Sequence, residues 1–338
     1  MALTDVWFLL IAVLWTGYLV LEGFDFGVGM LLPVVGREAV DRRVTLKTIG
    51  PVWDGNEVWL LVAGGATFAA FPFWYATLFS GFYLALLVIL VALILRGVAL
   101  EYRGKVDDAR WQRRWDLVIV GGSAVPALLW GVALSNIVRG VPLDADHEFT
   151  GDFFTLLNPY ALLGGVTTCL LFALHGAIFL ALKTHGEVHD RAARLVWPIG
   201  AATVVVAAAF LGWTQSLDGS WITWTLAVAA ALCLVGALAA SRLGREGWAF
   251  LGTAATIVLA VATLFVTLYP DVLPSTTDPA YSLTTVNAAS TPYTLKIMTW
   301  VAVIITPIVL LYQSYTYWVF RRRLGRSDVP HPAGQGTA

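Results

Sequence analysis

The sequence predicts an all-α integral membrane protein of about nine transmembrane helices, and three observations carry that prediction. Of 338 residues, 58% are hydrophobic and only 13% charged, about half the ~25% charged residues of a soluble domain. Mean hydropathy is +0.75. Apolar runs long enough to cross a ~30 Å hydrocarbon core, about 20 residues each, recur along the whole chain. This composition excludes a soluble enzyme, a disordered chain and a disulfide scaffold. Cys169 and Cys233 lie inside apolar runs without metal-ligand spacing and read as buried thiols. No basic run marks a nucleic-acid footprint.

Charge clusters, prolines and turn residues divide the chain into spans near 6–32, 53–71, 76–99, 117–138, 158–182, 195–214, 222–241, 248–269 and 295–320. The first has no Lys or Arg ahead of it, carries Asp5 and far exceeds a signal-peptide core, so it is expected to stay as a span. Residues 52–100 form one apolar block too long for a single crossing. Phe71-Pro72-Phe73-Trp74-Tyr75 supplies a proline break and interfacial aromatics, which predicts a tight hairpin there. Trp7, Trp53, Trp74, Trp197, Trp213, Trp221 and Trp248, near span ends, are expected in the interfacial belt. The loops 139–157 and 270–294 are too short and polar for a second domain. The expected organisation is therefore one polytopic domain over 1–326, with a disordered cytoplasmic tail over 327–338.

Orientation follows from charge. With the N-terminus outside, all 21 Lys and Arg residues except Arg139 and Lys296 fall in inner loops or the inner C-terminal segment, Arg96 and Arg103 among them. The outer loops carry Asp144, Asp146, Glu148, Asp152, Asp271 and Asp278 instead. The bias satisfies the positive-inside rule and puts the C-terminus in the cytoplasm.

Ionisable residues at membrane depth are costly and therefore informative. Glu22 and Asp25 lie in the inner part of the first span, spaced i, i+3 on one helix face. Asp54 and Glu57 repeat that spacing at the start of the second span. Crowded carboxyls with little water lose solvation and repel one another, and such groups can hold and release protons. The four residues thus read as a proton path from the cytoplasm. Helix capping is an equal reading for Asp54 and Glu57, beside the positive N-terminus of their helix. It fails for Glu22 and Asp25, which sit inside a span. Gly23 and Gly27, with Gly17 and Gly29 nearby, suggest a face for close helix approach.

His175, deep in the fifth span, is read as a structural histidine hydrogen-bonded to a neighbouring helix. A haem ligand is the sharper alternative, but His147, His185, His189 and His331 all fall in loops or the tail. No phosphate loop, HExxH or nucleophile elbow is present, so no catalytic or metal-binding residue is assigned to this chain.

The runs Glu22-Gly-Phe-Asp25-Phe-Gly-Val-Gly-Met30 and Ile49-Gly-Pro-Val-Trp53-Asp54-Gly-Asn-Glu57-Val-Trp59 resemble subunit II of cytochrome bd quinol oxidase. The likeness continues through Phe68-Ala-Ala-Phe-Pro72, Phe79-Ser-Gly-Phe-Tyr83, Arg96-Gly-Val, Glu101-Tyr-Arg103, Trp130-Gly-Val and Leu182-Lys-Thr184, and is looser after about residue 185. The resemblance implies a bacterial plasma-membrane subunit of two four-helix bundles, roughly 1–138 and 158–269, plus a peripheral helix over 295–320. It implies an oxidase that reduces dioxygen to water with quinol electrons and builds a proton gradient without pumping. Two b-type haems, one d-type haem and the quinol site would belong to subunit I, the heterodimer partner, with no cofactor in this chain. A structural quinone or lipid and small single-helix accessory subunits stay open. Asp25 and Asp54 match acidic positions of the family's proton path, Glu22 a position taken by Asp or Glu, and Trp59 a tryptophan beside the oxygen route.

The resulting expectation is that Asp54 and Glu57 collect cytoplasmic protons and pass them through Asp25 and Glu22 toward the partner's haems. Two rivals are a proton-coupled secondary transporter and a purely structural scaffold subunit. The first expects Gly/Pro-broken helices in matching halves, a pairing that Pro72, Pro126, Pro159 and Pro198 do not make.

Overall fold

A computed structural model describes residues 2–329. Helix α1 (Leu3–Val35) runs 33 residues to Gly36, about 50 Å at 1.5 Å per residue, more than a bilayer core requires. A short amphipathic helix, α2 (Ala39–Ile49), follows. The 52–100 block breaks twice. Helix α3 (Trp53–Ala70) stops at Phe71, Pro72 opens the ten-residue α4 (Pro72–Gly81), and Phe82 separates that from α5 (Tyr83–Tyr102). The hairpin expected at 71–75 is thus a whole helix wide, and the span expected at 76–99 begins at Tyr83. Pro72 lacks an N–H, so it fits the first turn of a new helix but cannot continue the old one.

Local signals set the other boundaries. Asp108 accepts from the Trp111 amide at 2.8 Å and starts α6 (Ala109–Arg139), which ends at Gly140 with φ +85°. Asn158 caps α7 (Pro159–Lys183), with proline at its first position. Gly186 (φ +71°) begins α8 (Glu187–Asp218), Ser220 and Thr223 form the capping box of α9 (Trp221–Arg242), and Gly244 (φ +67°) turns the chain into α10 (Glu246–Leu268). Thr291 and Pro292 open the last helix, α11 (Pro292–Val319). Among the described residues, eight helices are long and apolar enough to cross a membrane: α1, α5, α6, α7, α8, α9, α10 and α11. Helix α3, expected as the second span, falls outside them; Asp54, Asn56 and Glu57 dilute its apolar run.

Helices α1, α3, α5 and α6 pack together, α7 to α10 form a second group, and α1 and α6 meet α7 along the seam. Glycines permit that seam. A Cβ on Gly27 would sit 2.0 Å from the Phe172 carbonyl and 2.8 Å from the Gly176 backbone, so α1 and α7 cross nearly backbone to backbone. Gly23 faces Phe172 on the same side, while Gly17 meets Trp59 of α3 and Gly29 meets Ser123 of α6. The expected single glycine face holds for Gly23 and Gly27; the other two serve different neighbours. Beside the seam, Trp15, Tyr18 and Trp130 make edge-to-face contacts, and the Trp130 indole donates to the Tyr18 hydroxyl at 3.0 Å. Trp7 and Trp74 are also core residues rather than belt residues, whereas Trp197, Trp213, Trp221 and Trp248 are exposed as a lipid-facing belt requires.

Strands β1 (Asp271–Leu273) and β2 (Leu283–Thr284) pair antiparallel in the loop before α11. At the opposite, arginine-rich end, residues 320–329 form a strap beneath the helices. Leu324 exchanges backbone hydrogen bonds with Lys183 and His185, at 2.8 and 3.0 Å, and Lys183 donates to the carbonyls of Phe320 and Arg322. Arg326, in a single 3₁₀ turn (Arg326–Asp328), grips the buried Asp41 carboxylate with Nε at 2.8 Å and an Nη at 3.0 Å, while Arg191 reaches it at 2.6 Å. Of the tail expected to be disordered, 327 and 328 lie in this turn, 329 follows it, and 330–338 lie outside the described residues.

Two outcomes follow. Gly27→Ala forces α1 from α7 and should lower the melting temperature of the purified protein, at a cost of at least about 1–3 kcal/mol; Gly236→Ala, where nothing lies within 4 Å, should not. Burial pushes the Asp41 carboxyl up, but hydrogen bonds from Arg326 and Arg191 outweigh it and hold the group below its ordinary value, about 3.9. A depressed folded value means stabilisation that is complete above about 3.9 and lost as pH falls through the lower value. Hydrogen exchange of residues 321–329 should therefore stay slow from neutral pH down to that range. Asp41→Asn should speed it at neutral pH, loosening the strap by about 1.5–3 kcal/mol.

Candidate functional site

The acidic residues of α1 meet the polar residues of α3 and α5 inside the first helix group. Glu22 and Asp25, one turn apart on α1, are both fully buried. From α5 comes Arg96, also fully buried, whose Nη1 forms an ion pair with Glu22 Oε1 and lies 3.7 Å from Glu57 Oε2. The guanidinium also stands over the Phe26 ring, 4.9 Å from its centroid, an attraction strengthened by desolvation. Gly122 of α6 is what admits it: a Cβ there would lie 2.7 Å from the Arg96 Cβ. Asp25 is held separately, its Oδ2 accepting from Asn56 Nδ2 at 2.7 Å.

Two carboxyls thus meet one guanidinium with a third held nearby, and Glu22 Oε2, Asp25 Oδ1 and two Arg96 nitrogens make no hydrogen bond within the described residues. Exposure grades outward. Glu22 and Asp25 are sealed, the Glu57 side chain is 25% exposed, and Asp54, one turn earlier on α3, is at the surface. The structure therefore brings Glu22, Glu57 and Arg96 into contact and hangs Asp25 beside them through Asn56. Asp54 touches none of them. No side-chain hydrogen bond caps α3, whose first turn carries Asp54, and Glu57 adds a 3.7 Å approach to Arg96.

Trp59 packs on Gly17, and its indole donates to Gln313 of α11 at 2.7 Å. Next to it, Leu60, Gly64, Phe68, Ile89 and Trp130 line an apolar groove of about 480 Å³ between α3 and α5. His175 lies flat on Phe250, centroids 4.5 Å apart, with Phe24 at its edge and Nδ1 2.7 Å from the Thr253 hydroxyl. The ring is clamped by aromatics, and the other described histidines are engaged elsewhere: His147 with Tyr281, His185 near Asp328, and His189 with Asp190 and Glu246. No cluster of three His, Cys, Asp or Glu residues able to hold a metal occurs among the described residues.

Arg96 corrects the sequence reading, which placed it in an inner loop; it is a buried cation within the apolar helix α5. Its signal was present, since it stands in an unbroken apolar run, Leu93-Ile94-Leu95-Arg96-Gly97-Val98. Asn56 was overlooked because it carries no charge. Gln313 and Tyr317, whose hydroxyl donates to Asn56 Oδ1 at 2.7 Å, have no comparable signal, since nothing in α11 says which residues meet α3.

The described residues thus form a helical membrane protein that buries carboxyls beside one arginine. Residues 3–320 match the family described as cytochrome bd terminal oxidase subunit II, and the chain belongs to that family. It is 42% identical over 332 residues to cytochrome bd ubiquinol oxidase subunit 2 of Bacillus subtilis, covering 97% of this chain and 98% of that one. It is 36% identical to cytochrome bd-I ubiquinol oxidase subunit 2 of Escherichia coli K12, covering 96% of each. A chain of the bd oxidase from Geobacillus thermodenitrificans shares the fold, with TM-score 0.76 at 17% identity over 95% of this chain and 99% of that one. The protein is thus a multi-pass bacterial inner-membrane subunit of an oxidoreductase complex that contains haem and a subunit I partner.

Arg96→Leu strips the counter-charge from Glu22 and should cost about 3–5 kcal/mol, read as loss of assembled complex or of melting temperature. Adding Glu22→Gln should recover part of that loss, because the stranded carboxylate is then neutral.

Proposed function

We propose that this subunit conducts protons to the haem-bearing partner while quinol is oxidised and dioxygen reduced to water. The observation that carries this reading is the graded series of carboxyls, from Asp54 at the surface through half-open Glu57 to sealed Glu22 and Asp25. Of the inner three, Glu57, Glu22 and Asp25, two exceed the single positive charge of Arg96, a composition suited to taking up and passing protons. Arg96 keeps the cluster from repelling itself apart, and Asn56 holds Asp25 in place.

The arginine-rich end would face the cytoplasm, with the N-terminus outside and α3 as a ninth crossing, all within one polytopic domain. On this reading the two b-type haems and the d-type haem lie in subunit I and supply electron transfer and oxygen binding there; this chain supplies protons and packing. The apolar groove beside Trp59 suits passage of a small apolar molecule and supports an oxygen route. A bound quinone or lipid in a groove and single-helix accessory subunits are compatible additions. A scaffold role is the second reading, favoured by the direct Glu22–Arg96 ion pair.

Each dioxygen reduced to two waters consumes four protons, so a blocked path slows turnover without removing haem. Asp25→Asn, Glu57→Gln and Asp54→Asn should each lower oxygen consumption by the intact complex, about tenfold or more for the buried Asp25, while the visible haem spectrum is unchanged. Normal rates with normal haem would leave the scaffold reading standing.

A further inference from the structure

Helix α11 looks dispensable by packing. Leu295 is its only buried residue, and its contacts are with α1 and α3. Its ends are nevertheless tied. Trp7 donates to the Leu295 carbonyl at 3.2 Å and to the Thr299 hydroxyl at 3.1 Å, and the strap binds the other end. Between these ties, Gln313 and Tyr317, four residues apart on one helix face, reach Asn56 of α3. The Tyr317 hydroxyl donates to Asn56 Oδ1 at 2.7 Å and Gln313 Nε2 to the same oxygen at 3.3 Å.

The direction of this chain of hydrogen bonds follows from chemistry. An indole N–H can only donate, so Trp59 obliges Gln313 to turn its carbonyl oxygen toward α3. The Gln313 amino group must then point at Asn56, whose oxygen accepts it. Asn56 is left with its amino group facing Asp25, 2.7 Å from Oδ2. A flipped Asn56 would set oxygen against the carboxylate and an amino group against the donors of α11. The orientation of this buried amide is thus fixed from two sides, by the donors of α11 and by Asp25 with the Leu21 carbonyl, 3.5 Å from the amino group.

We infer that Gln313 and Tyr317 are positioning residues for Asp25, acting through Asn56, and that α11 is retained to deliver them. The inference rests on the proton-path reading for its consequence in turnover but not for its structural content. In the intact oxidase complex, the infrared carboxyl or carboxylate band that Asp25→Asn removes reports the surroundings of Asp25 directly. In the combined Tyr317→Phe and Gln313→Leu variant that band should shift. Oxygen consumption should fall about 2- to 10-fold, the rate equivalent of one hydrogen bond, with haem content unchanged. Added to Asn56→Ala, the same substitutions should change neither quantity further, since the group they orient is gone. If the combined variant does not assemble, Tyr317→Phe alone keeps the ring and reads the same band. An unmoved band, or a further loss on top of Asn56→Ala, overturns the inference. Wild-type turnover in Asp25→Asn would overturn the proton-path reading alone.

Discussion

Arg96 is the constraint around which this half of the molecule is arranged. A lone carboxylate in an apolar interior is prohibitively expensive, and α1 carries two of them into the bundle. One guanidinium from α5 makes the arrangement tenable by pairing with Glu22, approaching Glu57 and resting on Phe26. Its placement demands in turn that α5 and α6 come close at Gly122 and that α3 present Glu57 toward α5. The packing of three helices is therefore set by one charge, and a helix bundle chosen for apolar packing alone would have no reason to leave hydrogen-bonding capacity unspent there.

The second organising feature is how lightly the periphery is held. Helix α11 lies almost wholly exposed, yet its two ends are fastened by different chemistry: an indole donor at one, and at the other a strap whose Arg326 forms a two-pronged bond with Asp41. Asp41 is also gripped by Arg191 of α8, so the same carboxylate ties α2, the second helix group and the C-terminal strap together. Because bidentate guanidinium–carboxylate pairing is directional, this knot fixes position as well as proximity. It thereby limits how α11 can slide past α3, where Gln313 and Tyr317 meet Asn56.

Much of the architecture was legible in the chain. Apolar run length gave the crossings, and the asymmetric placement of Arg and Lys gave one end of the bundle its charge. Individual features departed where a tertiary neighbour overrode a local rule. Pro72 read as a hairpin tip and instead opens a separate helix, because proline stops one helix but equally starts the next. Trp7 and Trp74 read as interfacial and are buried: Trp7 lies against the start of α11, to which its indole donates, and Trp74 packs edge-on to Phe71 from within α4. Asp54 and Glu57 read as a pair; a single turn of α3 sends one to the surface and the other toward Arg96.

Composition and periodicity determined the class of protein, the number of apolar helices to within one, and the fact that Glu22 and Asp25 share a helix face inside the membrane. These depend only on the transfer of side chains from water to hydrocarbon and on the 3.6-residue period, both local properties of the chain. Which groups answer those carboxyls was decided by the tertiary structure alone. Arg96 lies 74 positions from Glu22, Asn56 31 from Asp25 and Tyr317 261 from Asn56. Separations of that kind are closed by helix packing, and no window along the sequence records which faces will meet.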